Sequence, residues 1–125
     1  MRPKSPTLTA HELQIMDIIW QHSAGATVRD VYEALRAKRP IAYTTVMTNL
    51  KTLERKGYLK TSQQERAYLY RPMRPKQQVV RAMVREFIDR VFDGSARPLL
   101  LHMLEDDQLT DAELQDITKM MRKKK

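Results

Sequence analysis

Residues 27–71 read TVRDVYEALRAKRPIAYTTVMTNLKTLERKGYLKTSQQERAYLYR, and the spacing of apolar positions changes twice within them. Val28 to Lys38 places Val28, Val31, Tyr32 and Leu35 on one helical face. Arg39-Pro40 ends that helix, because proline pushes the preceding residue out of the helical region. A second helix is expected from about Ala42 to Lys56, with Gly57 as its left-handed cap. Tyr58 to Thr61 and Ala67 to Arg71 then read as short strands around the loop Ser62-Gln63-Gln64-Glu65-Arg66. Helix, turn, helix and hairpin is the order of a winged helix-turn-helix, a DNA-reading device.

The faces of the second helix support this. At about 100° per residue, Val46, Leu50 and Leu53 fall on one side, with Tyr43 at its border. The opposite side collects Thr44, Thr48, Lys51 and Arg55, flanked by Thr45 and Thr52. Threonine can hydrogen-bond a base edge or meet the thymine methyl, while Lys and Arg reach phosphates. Pro40, Ile41 and Ala42 offer no side-chain oxygen to the first N–H groups, a vacancy that a phosphate can fill. The competing reading is a water-capped helix with a merely solvated face. Its place after a helix and turn favours the groove.

Charge is distributed accordingly. The 125-residue chain carries +8, with a pI near 9.9. Residues 1–72 hold 12 Lys and Arg against 6 Asp and Glu, a net +6, while residues 73–125 hold 11 against 9, a net +2. The excess sits with the reading unit and would draw phosphates at long range. The absence of cysteine excludes disulfides, zinc fingers and thiol redox chemistry. No apolar run approaches the roughly 20 residues of a membrane span, and Met1-Arg2-Pro3-Lys4 lacks a signal-peptide core, so a cytoplasmic protein without membrane attachment is expected. Lys123-Lys124-Lys125 reads as a frayed tail.

Upstream, Thr9-x-x-Glu12 is a capping box stapled by Leu8 and Leu13. Leu13, Met16, Ile19 and Trp20 follow as a core stripe widened by Ile15 and Ile18. Ala26-Thr27 offers a short strand for pairing with the wing, and Thr27 a cap for the next helix. Downstream, the doublets Val79-Val80, Met83-Val84, Phe87-Ile88 and Val91-Phe92 make an apolar face too wide for one core. Asp93-Gly94-Ser95 breaks that helix, and Leu99 to Leu104 form a shorter apolar block. A last helix starts at the capping box Thr110-x-x-Glu113. Such helices cover one another poorly within about 50 residues, so a homodimer is expected to share them, against the alternative of an intramolecular three-helix bundle. The expected organisation is a mainly α protein, with a winged helix-turn-helix bearing a small β-hairpin wing over residues 1–72 and a helical dimerisation region over 73–125. Met83, Phe87 and Val91 share one stripe and, with Leu100 and Leu104, are expected to face the partner chain.

These residues resemble the penicillinase-repressor family. The resemblance lies in Thr27-Val28-Arg29-Asp30-Val31, in Ala42 to Leu50 and in Leu53-Glu54-Arg55-Lys56-Gly57-Tyr58-Leu59. It extends to Leu13 through Trp20 and to the wing strand Ala67-Tyr68-Leu69-Tyr70. It is specific over residues 8–72 and looser after 75. The resemblance implies a dimeric repressor of the kind that controls β-lactamase and methicillin-resistance genes in bacteria, reading a palindromic double-stranded operator often built on TACA/TGTA half-sites. It places Thr44 and Thr45 at the start of the recognition helix. Tyr43 and Val46 stand where methicillin-type repressors carry basic residues. The copper-responsive branch uses a C-terminal cysteine cluster that this chain lacks. In the antibiotic-responsive branch a sensor protease cuts the dimerisation region, at the positions of His102 and Met103 here.

The expected DNA-facing set is Arg29, Tyr43, Thr44, Thr45, Thr48, Lys51, Arg55 and Arg66, with Thr44 and Thr45 on base edges and Lys51, Arg55 and Arg66 on phosphates. No catalytic residue, metal site or cofactor is expected. His11, His22 and His102 lie in distant segments, and three glycines make no phosphate loop. The competing function is a winged helix that serves as a protein-interaction or non-specific architectural module.

Overall fold

The computed structural model describes residues 8–123; residues 1–7, which include Met1-Arg2-Pro3-Lys4, and the end of the lysine tail, Lys124-Lys125, lie outside them. Six helices and one hairpin follow in the order α1 (Ala10–Trp20), α2 (Val28–Arg36), α3 (Tyr43–Arg55), β1 (Leu59–Gln64), β2 (Ala67–Pro72), α4 (Lys76–Phe92), α5 (Arg97–Glu105) and α6 (Asp111–Lys123). The fold is a mainly α winged helix-turn-helix with a two-stranded antiparallel wing.

Local chemistry fixes the helix ends. The Thr9 hydroxyl accepts from the Glu12 amide at 3.1 Å, and the Glu12 carboxylate accepts from the Thr9 amide at 2.9 Å. Thr27 and Asp30 form a second reciprocal cap at the start of α2. Helix α2 stops at Arg36, two residues before the expected end, and Lys38 and Arg39 turn back to the Leu35 carbonyl at 2.9 and 3.1 Å. Gly57, at φ +89°, closes α3: its amide reaches the Glu54 carbonyl and the Tyr58 amide reaches Leu53, which satisfies two orphan carbonyls.

The wing differs from its sequence expectation. The strands run to Gln64 and from Ala67, so the five-residue loop shrinks to Glu65-Arg66, with Glu65 at φ +56°. Ser62, Gln63 and Gln64 are polar and resemble a loop by composition. Ladder pairing, however, uses backbone groups that every non-proline residue carries. Ala26 makes the expected bridge, exchanging both backbone hydrogen bonds with Tyr70 at 3.0 and 2.8 Å.

The chain divides into two compact units between Met83 and Val84. In the first, Ile15, Met16, Ile19, Val31, Leu35, Val46, Leu50 and Leu53 are fully buried, together with Tyr58, Leu59 and Tyr70 from the wing side. Each such side chain contributes about 1.5–3 kcal/mol on burial. Leu13 and Trp20 sit at the edge of this core, so the buried stripe of α1 is centred on Ile15, Met16 and Ile19. Trp20 donates its indole N–H to the Arg74 carbonyl at 3.0 Å, and Lys76 pairs with Asp17 at 3.1 Å. Val79 is buried here, with Met83 packed beside it.

In the second unit, Asp93 and Gly94, both left-handed, end α4 as expected. Phe92 meets Phe87 edge-on at 5.8 Å and His102 at 6.2 Å. The box Thr110/Glu113 caps α6 with bonds of 2.9 and 3.1 Å. No described residue of α5 or α6 is buried, so a self-contained three-helix core is not formed.

Candidate nucleic-acid interface

Helix α3 projects its polar side outward because Val46, Leu50 and Leu53 anchor the other side in the core. Thr44, Thr45, Thr48, Lys51 and Arg55 are all exposed, while Thr52 is half-buried. Ala42 stands at the N-cap without a side-chain hydrogen bond, and no acidic residue occupies the first turn. Free N–H groups and the positive end of the helix dipole therefore face outward beside Thr44 and Thr45, a combination suited to an anion.

The remaining expected contacts come from neighbouring elements. Arg29 is exposed in the first turn of α2, and Arg66 is exposed at the hairpin turn. Tyr43 is 39% exposed, and its ring packs edge-on against Tyr32 at 5.3 Å. The Arg36 guanidinium lies 5.6 Å from the Tyr32 ring centroid. Tyr43 thus presents an edge held by its neighbour. Arg39 reaches back to Gln14 at 3.2 Å and His11 at 3.0 Å, which fastens the turn before α3 to α1.

Two polar ties at the far end of α3 have no signal in the sequence. Glu12 is only 4% exposed, and both its carboxylate oxygens accept from Lys56 Nζ, at 2.9 and 3.1 Å. Burial by itself would raise the Glu12 pKa; the Thr9 amide and the Lys56 ammonium outweigh it and hold the carboxyl below its usual value. Glu12 is legible as a capping residue, but its second partner lies 44 residues away and leaves no local mark. In the second tie the Thr61 hydroxyl donates to Glu54 at 2.8 Å, joining β1 to α3. An open groove of about 390 Å³ lies there, lined by Lys51, Glu54, Thr61, Tyr68 and Tyr70. Tyr68 is 57% exposed on it. Period-two alternation of Tyr68 and Tyr70 could have marked both as one face of the wing.

In the second unit, Val84, Phe87, Val91, Leu100 and Leu104 are 39–50% exposed, and Val80, in the first-unit part of α4, is 37% exposed. Val80, Val84, Phe87 and Val91 recur at spacings of four, three and four, which aligns them along α4. Met83 lies on a flank of that helix turned to the first unit's core. His102 is exposed and Met103 half-buried on α5. His11 and His22 engage Arg39 and the Ile18 carbonyl, and no group of three or more potential metal ligands occurs among the described residues. No described helix is long and apolar enough to cross a membrane.

A family profile described as penicillinase repressor matches residues 8–123. The transcriptional regulator BlaI of Mycobacterium tuberculosis is 36% identical over 95 residues, covering 75% of this chain and 69% of that protein. The penicillinase repressor of Bacillus licheniformis is 27% identical over 122 residues, covering 98% and 94%. Among solved structures, the monomeric form of Bacillus licheniformis BlaI in complex with the blaP half-operator superposes with a TM-score of 0.52 at 27% identity. That match covers 59% of this chain and 89% of that one.

Proposed function

The chain belongs to the penicillinase repressor family, and from that premise we propose that it represses transcription by binding a palindromic DNA operator as a homodimer. The observation that carries this reading is the start of α3. Uncapped N–H groups, two exposed threonines and the absence of a carboxylate in the first turn occur together at an outward-facing helix end. The half-operator complex of the Bacillus licheniformis relative supports the same mode of binding. In this reading Thr44 and Thr45 meet base edges, Thr48 and Tyr43 border them, and Arg29, Lys51, Arg55 and Arg66 neutralise phosphates. It is a function of binding, carried out in the cytoplasm, with residues 1–72 reading DNA and 73–125 joining two chains.

Dimerisation follows from the exposed apolar residues. One winged helix spans a few base pairs, and two of them related by a twofold axis match a palindrome whose half-sites lie one helical turn, or a multiple of it, apart. The exposed stripe of α4 with Leu100 and Leu104 supplies an apolar surface that a second chain would cover. Release in this reading acts on the dimer, by a sensor protease that cuts at His102-Met103 or by a partner that parts the chains. Loss of α6 and part of α5 would weaken the dimer and leave α3 untouched. Footprinting on the DNA upstream of the chain's own gene tests the proposal. Protection of a dyad-symmetric segment by two chains is expected. Uniform protection at every sequence would replace it with an architectural role.

A further inference from the structure

Glu54 is the sole carboxylate on α3, the helix turned toward DNA, where its charge opposes the phosphates. Its contacts account for its presence. Thr61 pairs with Tyr70 and Gln63 with Tyr68 across the hairpin, so these four side chains share one face, and Thr61, Tyr68 and Tyr70 line the groove beside α3. Thr61 donates its hydroxyl proton to Glu54 at 2.8 Å. Tyr70 is buried directly opposite Thr61 in the ladder and lines the same groove. Burial raises the Tyr70 pKa, so the phenol stays protonated.

The Thr61–Glu54 bond is the last side-chain anchor before the wing becomes free. Tyr70 is 6% exposed and is also fixed through its backbone to Ala26. Beyond it, residues 62–67 are paired only within the hairpin, and among the described residues none of their side chains is hydrogen-bonded to α3. Three strand residues separate Thr61 from the turn, and the four steps to Glu65 make a lever of about 13 Å. A swing of roughly 10° at the anchor would move Arg66 by about 2 Å, well outside the tolerance of a hydrogen bond.

We propose that the Thr61–Glu54 hydrogen bond is a latch that sets the angle of the wing against α3, making Thr61 and Glu54 positioning residues for the DNA contact of Arg66. The inference rests on the reading that α3 and the wing hold one half-site together. It explains why an acidic side chain occupies a DNA-facing helix: the carboxylate is the catch for the wing.

The test uses the full chain with Thr61→Val, which keeps the β-branched shape and removes the hydroxyl, and Thr61→Ser, which keeps it. Amide hydrogen exchange over residues 62–68 is expected to accelerate in Thr61→Val and not in Thr61→Ser. Operator affinity is expected to fall about tenfold in Thr61→Val, the worth of one charge-assisted contact, with the serine variant within about twofold of the parent. Adding Arg66→Ala is expected to cost Thr61→Val little more, because the contact is already lost; losses that add would mark a general defect and overturn the latch. Unchanged wing exchange in Thr61→Val would overturn it as well. If the parent chain showed no preference for an operator, the repressor reading would fall, while accelerated wing exchange would still support the latch.

Discussion

Replacing Lys56 by Met should destabilise the reading unit far more than replacing Glu12 by Gln, although both changes break the same ion pair. The Glu12 side chain is 6% exposed and that of Lys56 is 21% exposed, so the two partners differ in what they leave behind. Lys56→Met strands a buried carboxylate, a loss of about 3–5 kcal/mol. Glu12→Gln retains an oxygen for the Thr9 cap and leaves an ammonium that reaches water, a loss of about 1 kcal/mol. Trp20 is the chain's single tryptophan and lies in this unit, so its fluorescence follows urea unfolding directly. With a denaturant slope of about 1.5 kcal/mol/M, the midpoint should fall by about 2–3 M in Lys56→Met and by less than about 1 M in Glu12→Gln. Acid adds a second signature. The folded Glu12 pKa is lowered, so the stabilisation is complete above the unfolded carboxyl value of about 4.3 and is lost as pH falls through the folded value. Glu12→Gln should remove that share of the acid loss, and Lys56→Met should shrink it, because the burial that raises the pKa is then less opposed. Equal midpoints for the two variants, or an unaltered acid profile in both, would refute the reasoning.

Thr44→Ala should cost about 1–3 kcal/mol on the operator and little on random DNA, measured by fluorescence anisotropy, whereas Arg66→Ala should weaken both and reduce the salt slope by about 1. Phe87→Asp places an ion within the exposed apolar stripe of α4; sedimentation should show monomers, with operator affinity falling because two half-sites no longer act as one. A Phe87→Asp chain that stayed dimeric at micromolar concentration would remove Phe87 from the interface. A chain ending at His102 should keep weak non-specific DNA binding and lose tight operator binding; full affinity and dimerisation in that chain would send the release mechanism elsewhere.

Local signals make much of the fold legible. Capping boxes at Thr9 and Thr110, glycine at 57 and the helical spacing of Val46, Leu50 and Leu53 act within a few residues, and each appears where expected. The exposed face of α3 follows from the same spacing. The wing is longer than its composition suggests because Ser62 to Gln64 pair through backbone atoms that composition does not report. Glu12–Lys56 and Glu54–Thr61 join separate elements, so no periodicity encodes them. Met83 shares a stripe with Phe87 and Val91 by spacing, yet it packs on the first unit's core, since α4 is apolar on more than one side.

Selection of binders from a pool of random duplex DNA tests the central claim most directly, because it lets the protein choose its own target sequence. After several rounds at physiological salt, the recovered sequences should converge on a dyad-symmetric site with half-sites about one helical turn apart. The site should be bound by two chains at least about a thousandfold more tightly than scrambled DNA. A pool that retained no common sequence, with binding that simply tracked salt, would contradict it.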